Sequence, residues 1–289
     1  MSIYSEQDAK AILDKVIKLS KADECTATLG GSVDGNIRYA LNAVSTSGIV
    51  SDAELGVQVA FGKRVGTATI NEFDDASLEK VVRRAEELAR LAPENPEFVP
   101  AIGKQAYAKT KTYFEKTAAI TPEFRASVAA ASIGPSKEAK CVAAGFLSDG
   151  ARFSAIANSN GNFAYQTSTN LDFTCTVRTE DGTGSGWVAR NLADVEQFNA
   201  ADEIKVAVQK ATASRDAKAL EPGKYTVIME PAASAGLISF MMFGFDARQA
   251  DEGRSFLTKK GGGNKVGEKV FDERVTMYAD PADANAAVL

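Results

Sequence analysis

The sequence of 289 residues contains no histidine. This absence excludes a Ser-His-Asp or Cys-His nucleophilic pair, an HExxH zinc helix and an imidazole general base near neutral pH. A hydrolase built from this chain alone would have to use carboxylates, a lysine base or a group borrowed from another molecule. The commonest forms of hydrolytic active site are therefore ruled out by composition.

Cysteine is almost as scarce, with Cys25, Cys141 and Cys175 far apart along the chain. No CxxC or CxxxC spacing occurs, which excludes a zinc knuckle and a thioredoxin motif. The neighbours of these residues alternate as in strands, and free cysteines are usually buried. We therefore expect reduced, buried thiols and a cytoplasmic protein.

Long apolar runs and an excess of basic residues are also missing. The longest nearly apolar run, residues 235–245, is shorter than the roughly 18 residues that a membrane span needs, and the N-terminus does not resemble a signal peptide. The formal net charge of -5 argues against a non-specific nucleic-acid surface. A hydrophobic content of 45% predicts a packed core. We expect a soluble protein with no nucleic-acid and no membrane partner.

Periodicity predicts the secondary structure. Apolar residues spaced as on a helical face predict helices at 5–17, 75–91, 122–131, 201–214 and 232–247. Alternating residues predict short strands joined by turns at Asp34-Gly35-Asn36, Gly62-Lys63-Arg64, Asp149-Gly150 and Asn160-Gly161. Two later strands are predicted at 225–229 and 274–278. Because the strands cluster in the middle and the helices are segregated from them, the fold class is predicted to be α+β.

Breaks in this pattern divide the chain into domains. Residues 92–97 are rich in proline and end a helix, and Gly134-Pro135 is predicted to end another. The predicted order is an N-terminal α/β domain of helices and hairpins at 1–98, a linker at 99–120, a strand-rich antiparallel middle domain at 121–222 and the start of a third domain at 223–289.

Short local motifs establish no chemistry. Gly182-Thr-Gly-Ser-Gly186 is similar to a phosphate loop, but a strand-like segment follows it instead of the helix that would hold the phosphate. Ser77-Leu-Glu-Lys80 matches an SxxK string without its companion motifs, and Ser77 is better placed to cap a helix.

Several longer stretches resemble the TldD/PmbA family, whose members were once called modulators of DNA gyrase. The matching stretches are Arg38–Asn42, Gly56–Thr69, the helix Leu78–Leu91 and Leu220–Pro231, in the family's order and spacing. The resemblance implies an α/β first domain, a strand-rich second domain and a third domain that dimerises around a peptide-accepting cavity. Family members continue beyond the segment that matches residues 275–280, so we expect the third domain to be incomplete in this chain.

The resemblance also implies a zinc motif, His-Glu-x-x-x-His, in the active subunits of the family. On this chain the first histidine falls at Ser239, the glutamate at Phe240 and the second histidine at Gly244. These residues cannot bind zinc or activate its water, so the chain resembles the TldE/PmbA branch, which pairs with a zinc-bearing, TldD-like subunit. No catalytic residue and no metal are assigned to this chain, and zinc is expected only in that partner.

The same helix carries the residues that we expect to line a groove or an interface. These are Met241, Met242, Phe243 and Phe245.

Three functions remain open at this stage. The first is a TldE/PmbA-like subunit without zinc, in a peptidase complex that acts on peptides or unfolded segments. The second is a homodimeric peptide-binding or scaffolding protein without a proteolytic role. The third is a hydrolase that uses chemistry other than histidine. The sequence does not decide whether this chain is an enzyme on its own.

Overall fold

A computed structural model of the chain describes residues 3–280, which form two compact units. Unit 1 extends to Ala217 and unit 2 is Lys218–Asp280. The strands are β1 (Glu24–Ala40), β2 (Ala43–Phe61), β3 (Arg64–Ile70), β4 (Cys141–Asn158), β5 (Phe163–Thr179) and β6 (Ser185–Leu192). The helices are α1 (Glu6–Leu19), α2 (Asp75–Leu91), α3 (Glu115–Ala118), α4 (Pro122–Glu138), α5 (Ala200–Ala213), α6 (Pro231–Met242) and α7 (Ala247–Asp251), with 3-10 turns at Val195–Gln197 and Phe243–Phe245.

Unit 1 is built on one antiparallel sheet of six strands, in the order β3-β2-β1-β4-β5-β6. The central pair, β1 and β4, is in register from Thr26 opposite Asn158 to Tyr39 opposite Gly145. This mixed architecture confirms the predicted α+β class. The sheet takes three strands from each of the predicted domains at 1–98 and 121–222, whose boundaries stay a prediction.

All four long helices of unit 1 cover the same face of the sheet. Successive side chains of a strand point to opposite faces, and the buried residues of β1 are all odd-numbered, from Cys25 to Tyr39. The half of the sheet near Leu29 packs against α1 and α2, and the half near Tyr39 packs against α4 and α5. The even-numbered side of β1 therefore belongs to a face without helices, which we call the open face.

The order of elements in unit 1 repeats. The series α1-β1-β2-β3-α2 is followed by α4-β4-β5-β6-α5, and the two series meet at β1 and β4. Both repeats bring the final helix close to a glycine of the edge strand. A Cβ at Gly66 would lie 2.3 Å from the Ala85 carbonyl oxygen, and one at Gly186 would lie 2.1 Å from the Ala207 carbonyl oxygen. Glycine is therefore required at both positions for the helices to pack at this distance.

Two predicted turns are wrong, because β1 and β4 run continuously through them. The turn after β1 falls instead at Leu41 and Asn42, which both have positive φ. A Cβ at Gly35 would lie 1.8 Å from a guanidinium nitrogen of Arg125. Gly35 thus makes room for a side chain from α4, and the predicted turn at Asp149-Gly150 likewise lies inside a strand. The turns at Gly62 and Gly161 are confirmed, each with positive φ.

The predicted helix break at Gly134-Pro135 is also wrong, since α4 continues to Glu138. Proline removes one helical hydrogen bond, but its carbonyl still accepts from the Ala139 amide. Ser132 and Ser136 are buried, and the Ser136 hydroxyl donates to the Ser132 carbonyl at 2.8 Å. Packing along this face therefore maintains the helix past the proline.

Unit 2 has little core of its own within the described residues, where Ala250 is the one buried hydrophobic residue. The strands predicted at 225–229 and 274–278 are wrong, as neither segment joins a ladder in the part of the chain that the structure describes. The helix predicted at 232–247 is present but ends at Met242 and is followed by a 3-10 turn and α7. Although α6 is apolar, it contains no buried residue.

Candidate functional site

The helix α6 presents an apolar surface to solvent. Pro231 occupies its first turn, where a proline costs no hydrogen bond. Phe240 is 79% exposed and Phe243 is 73% exposed, with their ring centroids 6.4 Å apart. We call this surface, formed by Leu237, Ile238, Phe240, Met242 and Phe243, the α6 surface. Exposed apolar side chains of this kind make α6 a candidate interaction site.

The three positions at which the sequence resemblance places the family's zinc motif lie on and just after α6. Ser239 and Phe240 are exposed on the helix, and Gly244 lies in the 3-10 turn. A Cβ at Gly244 would lie 2.5 Å from the Phe256 ring, so a larger residue there would displace that ring. Phenylalanine and glycine side chains offer no ligand atom, so these residues do not fit zinc.

The described residues 3–280 contain no group of three or more Cys, Asp or Glu side chains arranged to hold a metal ion. No zinc step can be derived from the α6 positions, and the same described range offers no alternative set of ligands in their place.

The residues predicted to line a groove are only partly brought together. Phe245 packs against Phe256 and Phe271, with ring centroids at 5.9 and 6.2 Å, and lines a cleft of about 510 Å³ in unit 2. Met241 is half-buried, whereas Met242 and Phe243 are exposed and do not line this cleft. Other residues lining the cleft are Leu257, Lys265, Val266, Glu268, Lys269, Val270, Val275 and Met277. It is an apolar cleft with charged side chains among its lining.

The open face of unit 1 is a second candidate surface, which the sequence analysis missed. Asp34 accepts a hydrogen bond from the Ser32 hydroxyl at 2.5 Å and lies 3.4 Å from a guanidinium nitrogen of Arg152. On β5, Asp172 accepts from the Asn170 amide at 2.8 Å. The alternation of polar and apolar residues from Thr26 to Tyr39 was the available signal. The predicted turn at Asp34-Gly35-Asn36 concealed it by splitting the strand.

A buried ion pair supports the helix-covered face. Arg125 of α4 donates to both carboxylate oxygens of Asp149, at 2.6 and 2.8 Å, and both side chains are almost fully buried. Burial raises the pKa of the Asp149 carboxyl, and the hydrogen bonds from Arg125 oppose that rise. The pair is enclosed between α4 and the sheet. It therefore holds α4 against the sheet and does not form an accessible acid-base site.

The remaining sequence candidates have structural roles. Hydrogen bonds from the hydroxyls of Thr179 and Thr183 and from the Thr183 amide lower the pKa of Asp181 to about 2, and they close the glycine-rich loop on itself. Gly184 and Gly186 allow α5 to pack closely against this segment. This packing accounts for both glycines, and no phosphate ligand is needed to explain them. Burial raises the pKa of Cys25 to about 11, so its reactive thiolate is scarce at neutral pH.

Family comparisons agree with this architecture. Residues 30–89 match domain 1 of the PmbA/TldA metallopeptidases, residues 114–219 match the central domain and residues 222–288 match the C-terminal domain. The three matches follow one another in order and together cover most of the chain. The fold is thus that of the PmbA/TldD proteins, and the chain belongs to this family.

Solved structures show the same fold at low sequence identity. TldE from Thermococcus kodakarensis matches with a TM-score of 0.73 and 17% identity over 87% of this chain and 58% of its own. A protein named as a modulator of a DNA gyrase from Thermotoga maritima gives 0.76 and 17%, over 87% and 59%. One from Bacteroides thetaiotaomicron gives 0.74 and 18%, over 89% and 61%.

The chain therefore spans about three-fifths of the length of each of these structures. The comparison with curated protein sequences gives no match. Across residues 3–280, no helix is both long enough and apolar enough to cross a membrane.

Proposed function

We propose that this chain is a TldE-like subunit of a peptide-cleaving complex, in which a TldD-like partner carries the zinc. Its own role is to help form the groove that accepts peptides or unfolded protein segments. The observation that carries the proposal is family membership, together with our expectation that Ser239, Phe240 and Gly244 occupy the positions of the metal motif. The chain also has no histidine with which to form that motif elsewhere.

The α6 surface supports a role in assembly. Burying apolar side chains away from water lowers the free energy of the complex by about 25 cal/mol per Å² of area buried. An exposed group of such side chains therefore favours association. Phe240 and Phe243 together offer two aromatic rings of the kind that anchors interfaces. The adjoining Phe245 leads into the apolar cleft of unit 2, which gives a peptide side chain a place to bind.

The proposed setting is the cytoplasm. Cys25, Cys141 and Cys175 are all free and buried, which is compatible with a reducing compartment. A covalent or redox role is not part of the proposal, because burial raises the pKa of all three thiols.

Reconstitution tests this function. The full chain is mixed with a zinc-bearing TldD-like subunit, and cleavage of an unstructured fluorogenic peptide is followed. We expect cleavage by the mixture that a chelator abolishes, and no cleavage by this chain alone. Equal cleavage by the partner with and without this chain would contradict the proposal.

A matched pair of variants tests whether the α6 surface contacts the zinc-bearing partner. Phe240→Asp places a charge on the α6 surface and should weaken complex formation by at least about tenfold, since a charge buried without a partner is strongly unfavourable. Val206→Asp changes an exposed apolar residue of α5 and should leave the complex intact.

The second candidate is a homodimeric peptide-binding or scaffolding protein. The polar open face favours it, because that surface offers hydrogen-bonding groups without a catalytic pair. It predicts peptide binding by this chain alone, with no change when the zinc-bearing subunit is added.

A further inference from the structure

One stretch of β2 has a free edge. The strand β3 pairs with β2 only from Leu55 to Phe61, so the first half of β2 has β1 on one side and no strand on the other within the described residues. A register shift opposite Arg38 and Tyr39 interrupts the ladder between Thr46 and Val44. The regular part of this edge is therefore Thr46–Glu54, which we call the β2 edge.

The corresponding edge of the second repeat, on β5, is covered, whereas the β2 edge of the first repeat is not covered by the described residues. In the second repeat, β6 also pairs with only part of β5, from Leu171 to Arg178. There the linker covers the remaining edge: the Thr112 hydroxyl donates to the Thr167 carbonyl at 2.6 Å, and the Thr169 amide donates to the Thr112 carbonyl at 2.9 Å. The first repeat has no such cover among residues 3–280.

The part of the β2 edge from Thr46 to Ser51 lacks the charged residues, proline and bulge that usually prevent edge-to-edge pairing, whereas Asp52 follows it and accepts from the Ala53 amide at 2.8 Å. Natural edge strands are protected by shortness, proline, lysine or bulges. The outer strands β3 and β6 are short, with 7 and 8 residues. The β2 edge contains neither proline nor lysine, and it exposes Ile49 and Val50, the latter to 62%. Unpaired backbone groups and apolar side chains are thus presented together.

We propose that the β2 edge pairs in an antiparallel manner with the same edge of a second copy of this chain. The segment is complementary to itself when Val50 lies opposite Val50 of the second copy. Ile49 then lies opposite Ser51, and Ile49 of each copy is diagonal to the other. Asp52 lies opposite Gly48 and Glu54 opposite Thr46, so no carboxylate directly faces another.

The helix layers do not obstruct this pairing. With Val50 on the two-fold axis, the axis is perpendicular to the sheet, and residues opposite each other belong to the same face in both copies. Both helix layers therefore lie on one side of a joined sheet. The side chains from Thr46 to Asp52 are exposed on both faces of β2, so no helix of unit 1 covers the place where the second copy would bind.

Disulfide cross-linking of the full chain tests the register. Opposite residues of an antiparallel pair have Cα atoms about 4.5–5.5 Å apart, which suits a disulfide. Val50→Cys should give a disulfide-linked dimer under mild oxidation, whereas Asp52→Cys alone should not. Gly48→Cys mixed with Asp52→Cys should link to each other, and a Cβ at Gly48 meets no atom within 4 Å. Val206→Cys on α5 is the matched control.

A charge at the axis tests the contribution of the edge to assembly. Val50→Lys brings two ammonium groups together and should raise the dimer dissociation constant at least about tenfold, measured by sedimentation, whereas Val206→Lys should not. If Val50→Cys links no better than Val206→Cys, the proposal is wrong. A monomeric chain that binds an alternating Thr/Val peptide through Val50 would also overturn it, in favour of a peptide at the same edge.

The proposal is independent of the proposed function, because the test reads only the β2 edge. Cross-linking at position 50 reports on the β2 edge and does not require any contact by the α6 surface. Failure of the Val50→Cys variant to cross-link therefore contradicts edge pairing and leaves peptide cleavage with the zinc-bearing partner unaffected.

Discussion

Arg125 places its guanidinium in the helix-covered face over Gly35. There it forms two hydrogen bonds to Asp149. The sequence alone does not indicate this ion pair, because Arg125 and Asp149 are separated by 24 residues and lie on different elements. Asp149 and Gly35 instead looked like turn residues, which their types favour in the absence of a tertiary partner.

Arg125→Met should lower the free energy of unfolding by about 3–5 kcal/mol, because it leaves the Asp149 carboxylate buried without its partner. The loss should be smaller at acid pH. An unpaired buried Asp149 has a folded-state pKa above its unfolded value, so its penalty grows as pH rises above about 4. Urea unfolding at pH 4 and pH 7 measures both effects.

Two controls accompany this prediction. Adding Asp149→Leu to Arg125→Met removes the stranded charge and should restore most of the lost stability. Arg152→Met breaks the exposed contact with Asp34 and should change the free energy of unfolding by less than about 1 kcal/mol. If the two single arginine variants behave alike, the buried pair does not have the role assigned to it.

At the scale of elements, the long amphipathic helices could be predicted and the lengths of the strands could not. Leu78, Val82 and Ala89 lie on one helical face and are buried in α2, as their spacing indicates. The strands were divided wrongly at Gly35 and Gly150, because glycine there serves close packing and not a turn. The candidate site shows the same limit: the composition indicated that α6 was apolar, but its lack of burial depends on tertiary structure.

The segment that covers β5 gives a prediction at this scale. Thr112 is buried and its hydroxyl donates to the Thr167 carbonyl at 2.6 Å. Thr112→Ala should lower the free energy of unfolding by about 1 kcal/mol, because the partly buried Thr167 carbonyl loses its donor. The neighbouring Thr110 makes only a contact of 3.5 Å with Gln166, so Thr110→Ala should have a smaller effect. Equal effects of the two changes in urea unfolding would show that Thr112 does not fasten this segment.

For the whole molecule, the described hydrophobic core lies almost entirely in one unit. Apart from Ala250, every buried hydrophobic residue that the structure describes belongs to unit 1. The chain shortened to residues 1–217 should therefore fold cooperatively, with a free energy of unfolding close to that of the full chain. The shortened chain should also bind less of a dye that reports exposed apolar surface, since the α6 surface is removed.

Chemical denaturation and near-UV circular dichroism of the two chains measure this prediction. A shortened chain that unfolds without a cooperative transition, or that loses more than about 2 kcal/mol, would show that unit 2 contributes to the core.

The open face also bears on how the family diverges. Since the helices cover only one face of the sheet, substitutions at the exposed positions of the open face meet no packed core and have little effect on folding. Selection can therefore alter the polar side chains of that face, such as Asp34 and Arg152, while the buried positions keep their size and character. The fold itself is shared with structures that agree at TM-scores of 0.73 to 0.76 with only 17–18% identity.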